Sequence, residues 1–194
     1  MLQYINARKY KQLNKLINLW NSEFKKTFPI VKPLYKKLIL EDVNLNKDAS
    51  FVAIYDNEPV GFIFVKTWVT DSGLNNESET AHISLIFVKK EMRNTGIGSD
   101  MLQLAISEIK KYKNIKTLVV GNDMKKIFPG IPSNLTSAPI FFMNKGFVQK
   151  EGIRLFAGRN RCLRFAGNSS SWDGAILYWY RSYPWYRVAG GVDV

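Results

Sequence analysis

Residues 93–98 read Arg-Asn-Thr-Gly-Ile-Gly, and their types and spacing suit the binding of a phosphate. The preceding stretch, AHISLIFV (81–88), is rich in β-branched and aromatic residues, as a strand is. The following stretch, GIGSDMLQLAISEIKKY (96–112), places Ile97, Met101, Leu104, Ala105 and Ile109 on one helical face. A strand that enters a glycine turn and then a helix points several backbone N–H groups one way. The first N–H groups of a helix have no internal partners, and the helix dipole makes that end positive. A phosphate or pyrophosphate fits there. Gly96 and Gly98 remove Cβ atoms where a ligand must approach the main chain, and Arg93 offers a charge to the phosphate. A helix start with convenient glycines is the other reading of the same residues. The spacing matches neither the G-K-[ST] of a P-loop nor G-x-G-x-x-G.

The elements around the loop are legible from periodicity. Residues 8–26 carry Tyr10, Leu13, Leu16, Ile17, Trp20 and Phe24 at spacings of three and four, which predicts an amphipathic helix. FPIVKP interrupts it, and a second helix is expected over 33–44, with Pro33 in its first turn. SFVAIYD (50–56) and PVGFIFVKTWV (59–69) read as a hairpin turning at DNEP, and DSGLNNESET (71–80) reads as a loop. IKTLVVGN (115–122) is a strand and MKKIFPGIPSNLTS a loop. APIFFMNKGF (138–147) is a short helix stopped at Gly146, and a further strand starts at Phe147. The order α, α, β, β, β, α, β, α, β predicts an α/β or α+β layer fold, a mixed sheet covered by helices.

Composition narrows the class. The 194 residues suit one domain, with or without an appendage, and 46% hydrophobic content is ample for a core. No apolar run is long enough to span a membrane, and the N-terminus lacks the pattern of a signal peptide. Cys162 is the single cysteine and His82 the single histidine, so neither a disulfide nor a cysteine zinc site is expected, and no metal. The cysteine usage fits a reducing cytoplasm. Without a histidine partner in the tail, Cys162 reads as a plain thiol. The net charge of +12 is spread along the chain, which argues against nucleic acid as the partner.

A break in composition falls near residue 150. All lysines precede it, whereas Arg154, Arg159, Arg161, Arg164, Arg181 and Arg187 follow it together with Trp172, Trp179 and Trp185. Residues 1–150 are read as one domain. Residues 151–194 are read as a separate module, as the last strand or strands plus a basic extension, or as the product of an altered reading frame. IRLFAGRNRCLRFAG within it fits either an edge strand or a basic amphipathic surface.

Three blocks resemble the GNAT superfamily of acyl-CoA-dependent N-acetyltransferases. Arg93 to Gly98 match [QR]-x-x-G-x-[GA]. FVAIYDNEPVGFIFV is similar to the second and third strands of that family, and APIFFMNKGF to its A-x-x-F-Y-x-x-x-G-F segment. The resemblance covers roughly residues 1–150. It implies a GNAT fold, a mixed and mostly antiparallel sheet with splayed central strands, and acetyl-CoA lying between SLIFV (84–88) and TLVVG (117–121). On that reading the backbone of Ile86 and Val88 pairs with the pantetheine arm. The N–H groups of Asn94, Thr95, Gly96, Ile97, Gly98 and Ser99 hold the pyrophosphate, with Arg93 in support. The N–H of about Phe87 faces the oxyanion, and the acceptor is a primary amine on a small molecule or peptide. His82 or Glu79, acting through water, is the candidate base, with Ser84 also within reach. Their other reading is a strand-end surface.

Two departures from the family pattern stand out. Phe142 occupies the position where many relatives carry a tyrosine that protonates the leaving thiolate, and phenylalanine donates no proton. The 123–137 loop is longer than in many relatives and either shapes acceptor specificity or is a rigid connector. Glu41, Asp42, Asp71, Glu77, Glu79 and Asp123 are the acids that could receive a cationic acceptor. A homodimer is compatible with the resemblance. The competing functions are an acyl-CoA sensor without catalysis, favoured by Phe142, and a basic nucleic-acid-binding protein.

Overall fold

The computed structural model describes residues 1–70, 73–74, 78–128, 130–132, 135, 137–154 and 175–182. Asp71, Glu77, Cys162, Trp172, Trp185 and the arginines at 159, 161, 164 and 187 lie outside them.

A strand β1 (Leu2–Asn6) precedes helix α1 (Asn14–Phe24), and α2 (Lys32–Tyr35) continues into one π turn over Lys36–Leu40. Strands β2 (Phe51–Tyr55) and β3 (Glu58–Thr67) form the expected hairpin. The short pair β4 (Val69–Thr70) and β5 (Gly73–Leu74) forms a separate two-stranded sheet. Strand β6 (Thr80–Val88) leads through a 3-10 turn at Lys90–Met92 to helix α3 (Ile97–Ile109). Then come β7 (Thr117–Val120), β8 (Ile131–Pro132), α4 (Ser137–Asn144), β9 (Val148–Arg154) and β10 (Ala175–Ser182). The main sheet runs β1-β2-β3-β6-β7-β10-β8, with β9 also paired to β10. Among the described strands only β6 and β7 pair in parallel. The sheet is therefore mixed and mostly antiparallel, as expected.

Alternation along β3 builds two cores. Phe62 and Phe64 face α1 and α2, against Leu16, Ile17, Trp20, Tyr35 and Ile39. Ile63 and Val65 face α3 and α4, against Ile97, Met101, Leu102, Ala105 and Phe142. Both faces of β3 are covered, which is why its sequence is a continuous apolar run. Gly61 is required here. A Cβ on it would lie 2.9 Å from the Phe87 carbonyl oxygen and 3.1 Å from Met101 Cε.

Several local readings change. The first helix spans Asn14–Phe24 and not 8–26, and the expected 71–80 loop holds β5 and the first residue of β6. β1 was not expected, because five residues with polar Gln3 and Asn6 give little alternation. It forms by pairing with β2, from Leu2 opposite Tyr55 to Asn6 opposite Phe51. The second helix stops at Leu40 and not at residue 44. The buried Lys66 ammonium donates to the Leu38 carbonyl (2.7 Å), the group that an α-helix would offer to Asp42 N–H. The 123–137 loop returns to the sheet as β8, where Ile131 lies opposite Leu177 of β10. Helix α4 ends as expected at Gly146, with φ +77. Gly146 N–H donates to Met143 C=O (2.9 Å) and Phe147 N–H to Phe142 C=O (3.0 Å), a full Schellman cap.

Candidate active site

The site begins where two strands part. β6 and β7 pair from Thr80–Thr117 to Ile83–Val120, and Gly121 N–H closes the ladder on Ile83 C=O (2.8 Å). Gly121 (φ +72) and Asn122 (φ +49) then turn the chain away, and Asn122 N–H donates to Phe128 C=O (2.7 Å). Only glycine fits at 121. A Cβ there would lie 2.8 Å from backbone atoms of Phe128 and Gly130. On its other edge β6 stays paired with β3 out to Val88, opposite Gly61. Residues 84–88 thus have one edge without a strand partner among the described residues.

The phase of the ladder decides which groups face that edge. Lys89 N–H donates to Val60 C=O (2.8 Å), so alternation turns the main-chain groups of Phe87 toward β3 and those of Ile86 and Val88 toward the open edge. This phase leaves the main-chain groups of Ile86 and Val88 on the open edge. It corrects Phe87, whose N–H belongs to the β3 ladder and is not free for an oxyanion. The register also slips between Phe64, opposite Leu85, and Val65, opposite Ile83. Ser84 is therefore an extra residue of β6, a bulge at the point of separation.

The glycine loop lies beyond the end of β6. Asn94 (φ +63) and Gly96 (φ +93) adopt left-handed backbone, and Gly96 is the N-cap of α3. The Thr95 hydroxyl donates to Met92 C=O (2.8 Å) and fixes the turn. The N–H groups of Asn94 to Ser99 have no protein acceptor among the described residues. The first helical bond is from Asp100 N–H to Gly96 C=O. No heavy atom lies within 4 Å of a Cβ built on Gly96, whereas one on Gly98 would touch Phe141 and Val88 at 3.5–3.6 Å. Successive free N–H groups beside a helix N-terminus form an anion cradle.

Arg93 is placed otherwise than expected. Its Nε donates to Val88 C=O (2.9 Å), and its Nη2 reaches both oxygens of Glu23 on α1 at 2.6 and 2.5 Å. The guanidinium lies 5.9 Å from the Phe87 ring centroid. Arg93 is thus a tie from the loop to α1. No local pattern announces this contact, because Glu23 lies 70 residues away.

Around the strand gap is a cleft of about 90 Å³, walled by residues of β6, the 120–135 segment, α4 and Trp20 with Phe28. Trp20 lies 5.5 Å from Phe128 and 5.9 Å from Phe87, and Phe28 lies 5.8 Å from Phe128, ring centroid to centroid. Trp20 Nε1 donates to Phe28 C=O (2.7 Å). Phe142 is 1% exposed on the opposite wall, between Phe141 and Phe147. It brings no proton donor.

His82 sits just below the split. Its Nδ1 is 3.1 Å from Gly121 C=O. A carbonyl only accepts, so Nδ1 carries the proton and Nε2 keeps its lone pair. Burial pushes the imidazole below its usual pKa. The Gly121 bond and the Asp123 charge oppose that, and Lys66 adds to it. Glu79 is elsewhere. It is ion-paired to Lys116, and its carbonyl accepts the Lys116 and Thr117 N–H groups. It lies about 16 Å down the strand from Ser84. This removes it as a candidate base.

The other candidate acids among the described residues, Asp42, Asp123 and Glu41, have basic partners. Asp42 and Asp123 flank the fully buried Lys66 Nζ at 2.8 and 3.2 Å. Burial pushes the Asp42 carboxyl up, but the Lys66 hydrogen bond and charge and the Asn44 donors outweigh it and hold the group below its usual range. Glu41 pairs with Lys36 at 3.1 Å. No described helix is long and apolar enough to cross a membrane.

Comparison with known proteins agrees with this fold. The model of the acetyltransferase (GNAT) family matches residues 13–126. A search of curated protein sequences found no match. Arabidopsis thaliana Naa50, solved in complex with the bisubstrate analogue CoA-Ac-MVNAL, superposes with a TM-score of 0.63 at 16% identity, covering 94% of this chain and 99% of that one. A GNAT-family acetyltransferase from Staphylococcus aureus gives 0.57 at 20% identity, with coverage of 94% and 99%. The ribosomal-protein-S18-alanine N-acetyltransferase of Escherichia coli gives 0.61 at 12% identity, with 94% of each chain covered. At these identities the likeness is one of fold.

Proposed function

The chain belongs to the acetyltransferase (GNAT) family, and from that premise we propose that it moves an acetyl group from acetyl-CoA to a primary amine, both bound at once. The observation that carries this is the parting of β6 and β7 after Ile83, beside a run of N–H groups at the start of α3 that have no acceptor among the described residues. The open edge of β6 suits the amide-bearing pantetheine arm, held by Ile86 C=O and by Val88 N–H, which leaves Ile86 N–H for the thioester carbonyl. The N–H groups of Asn94 to Ser99 suit the pyrophosphate.

Acetyl-CoA supplies a thioester, on whose carbonyl the amine nitrogen forms its new bond as the C–S bond breaks. The residues of this chain do the rest. Ile86 N–H, which faces the gap, replaces Phe87 N–H as the donor to the carbonyl oxygen. His82 Nε2, neutral at pH 7, takes the amine proton through water. Phe142 offers nothing to the thiolate, so water protonates it. Trp20, Phe28 and Phe128 exclude bulk solvent and hold the amine near the thioester. A cytoplasmic location accords with the cysteine usage, and the acceptor is an amine on a small molecule or a peptide.

The test is release of free CoA thiol from acetyl-CoA, dependent on added amine, together with calorimetric binding of acetyl-CoA. Binding with thiol release supports the transferase. Binding without release for any amine would leave a sensor, and absence of binding would overturn the site assignment.

A further inference from the structure

Resting on the transferase reading, we infer that the acceptor is a primary amine carried on an apolar aliphatic or aryl group, and not a polycation. A polyamine or aminoglycoside must be met by unpaired carboxylates, because each ammonium that loses water needs a counter-charge or acceptors. The described part of the chain has none to offer at the cleft. Asp42 and Asp123 are buried against Lys66, Glu23 is held by Arg93, Glu41 by Lys36 and Glu79 by Lys116.

What the cleft does present is aromatic and aliphatic surface. Trp20, Phe28 and Phe128 form one wall, and Leu85, Ile131 and Leu135 also line it. Removing such surface from water favours an apolar substituent. One polar side chain on the wall lacks a partner among the described residues. Ser84 is 3% exposed, and its Oγ makes no hydrogen bond. An unmade bond at a buried hydroxyl is unfavourable. The β6 bulge puts this hydroxyl where the strands separate, and its lone pairs can accept an N–H of a neutral amine. Among the described side chains of the wall, one thus offers the nitrogen a hydrogen bond and the rest offer apolar contacts to whatever is attached to it.

The experiment measures kcat/KM by thiol release for phenethylamine and leucine amide against spermidine and kanamycin, at pH 8 and equal ionic strength. Both apolar amines are expected to exceed both polycations at least tenfold. Phe128→Glu should cut the phenethylamine value at least tenfold and narrow the ratio, while acetyl-CoA affinity stays within threefold. That affinity shows that the variant is folded. Spermidine or kanamycin outrunning both apolar amines would overturn the acceptor class and leave the transferase reading intact. If no amine releases CoA, the transferase reading fails. The acceptor class then rests on calorimetry with CoA present, where absence of phenethylamine binding overturns it.

Discussion

Replacing Gly96 by alanine and by glutamate separates conformation from charge at the proposed pyrophosphate cradle. Gly96 has φ +93, and a Cβ on it meets nothing within 4 Å. Alanine therefore adds only left-handed strain, about 1–2 kcal/mol, which lowers Tm by about 2–8 °C in a chain of this size. Glutamate carries the same strain and adds a carboxylate. At about 5 Å from two phosphate charges and an effective dielectric between 20 and 80, the repulsion is about 2–7 kcal/mol. Acetyl-CoA affinity measured by calorimetry should stay within about threefold for Gly96→Ala and fall at least ~30-fold for Gly96→Glu. The gap between the two should shrink as salt is raised, because the loop is exposed and its charges are screened. Equal affinities for the two variants would refute the cradle, since a carboxylate there could not be ignored by a bound pyrophosphate.

Three further outcomes follow from the same geometry. Glu23→Gln and Arg93→Gln should be coupled in a double-mutant stability cycle by about 0.5–1 kcal/mol, the range for a partly exposed ion pair; zero coupling in urea melts would refute the tie between the loop and α1. Phe142→Tyr should raise kcat, because a phenol then stands on the cleft wall, at about 1–3 kcal/mol of stability for a hydroxyl in a nearly buried position; an unchanged or lower kcat would show that the thiolate needs no added acid. Burial lowers the His82 pKa, so an acidic limb in kcat is expected below about pH 6.5, and His82→Gln should remove it while reducing kcat about 10²-fold. The same shift makes the unfolded chain bind a proton that the folded chain refuses. Stability contributed at His82 is therefore present above the usual histidine range and lost as pH falls through the lowered value. A limb above pH 7 that survives the substitution would exclude His82 as the base.

The strands and helices that frame the site were legible because each is a local pattern. The VGF hairpin, the 96–112 periodicity and the stop at Gly146 depend on neighbours a few residues apart. The features that were misread are those set by distant contacts. β1 exists only through β2. The second helix ends where Lys66 takes its carbonyl, and Arg93 turns to Glu23 across 70 residues. The loss of Phe87 N–H to β3 has a different cause. Strand alternation is visible in sequence, but its phase relative to the neighbouring strand is not. A one-residue shift exchanges the groups that face the gap with those that pair. Ser84 as a bulge was invisible for the same reason.

The two halves of the site differ in what sequence can preserve. On the proposed reading, acetyl-CoA is held by main-chain groups: the open edge of β6 and the N–H groups of the loop. Those demand backbone shape, which Gly61, Gly96 and Gly121 secure, and little from other side chains. A fold can then persist at 12–20% identity while the cofactor half of the site stays in place. On the same reading the acceptor half is built from side chains, Trp20, Phe28 and Phe128 above all, and from a loop that β8 fastens to the sheet edge. Nothing in the backbone requires those side chains to be aromatic. Acceptor choice can therefore change by substitution at these positions without disturbing the cofactor site, and fold likeness to enzymes with peptide or protein acceptors carries no information about the amine. That choice has to be read from the wall of this cleft, where, among the described residues, aromatic rings and one unpartnered hydroxyl are what the proposed amine would meet.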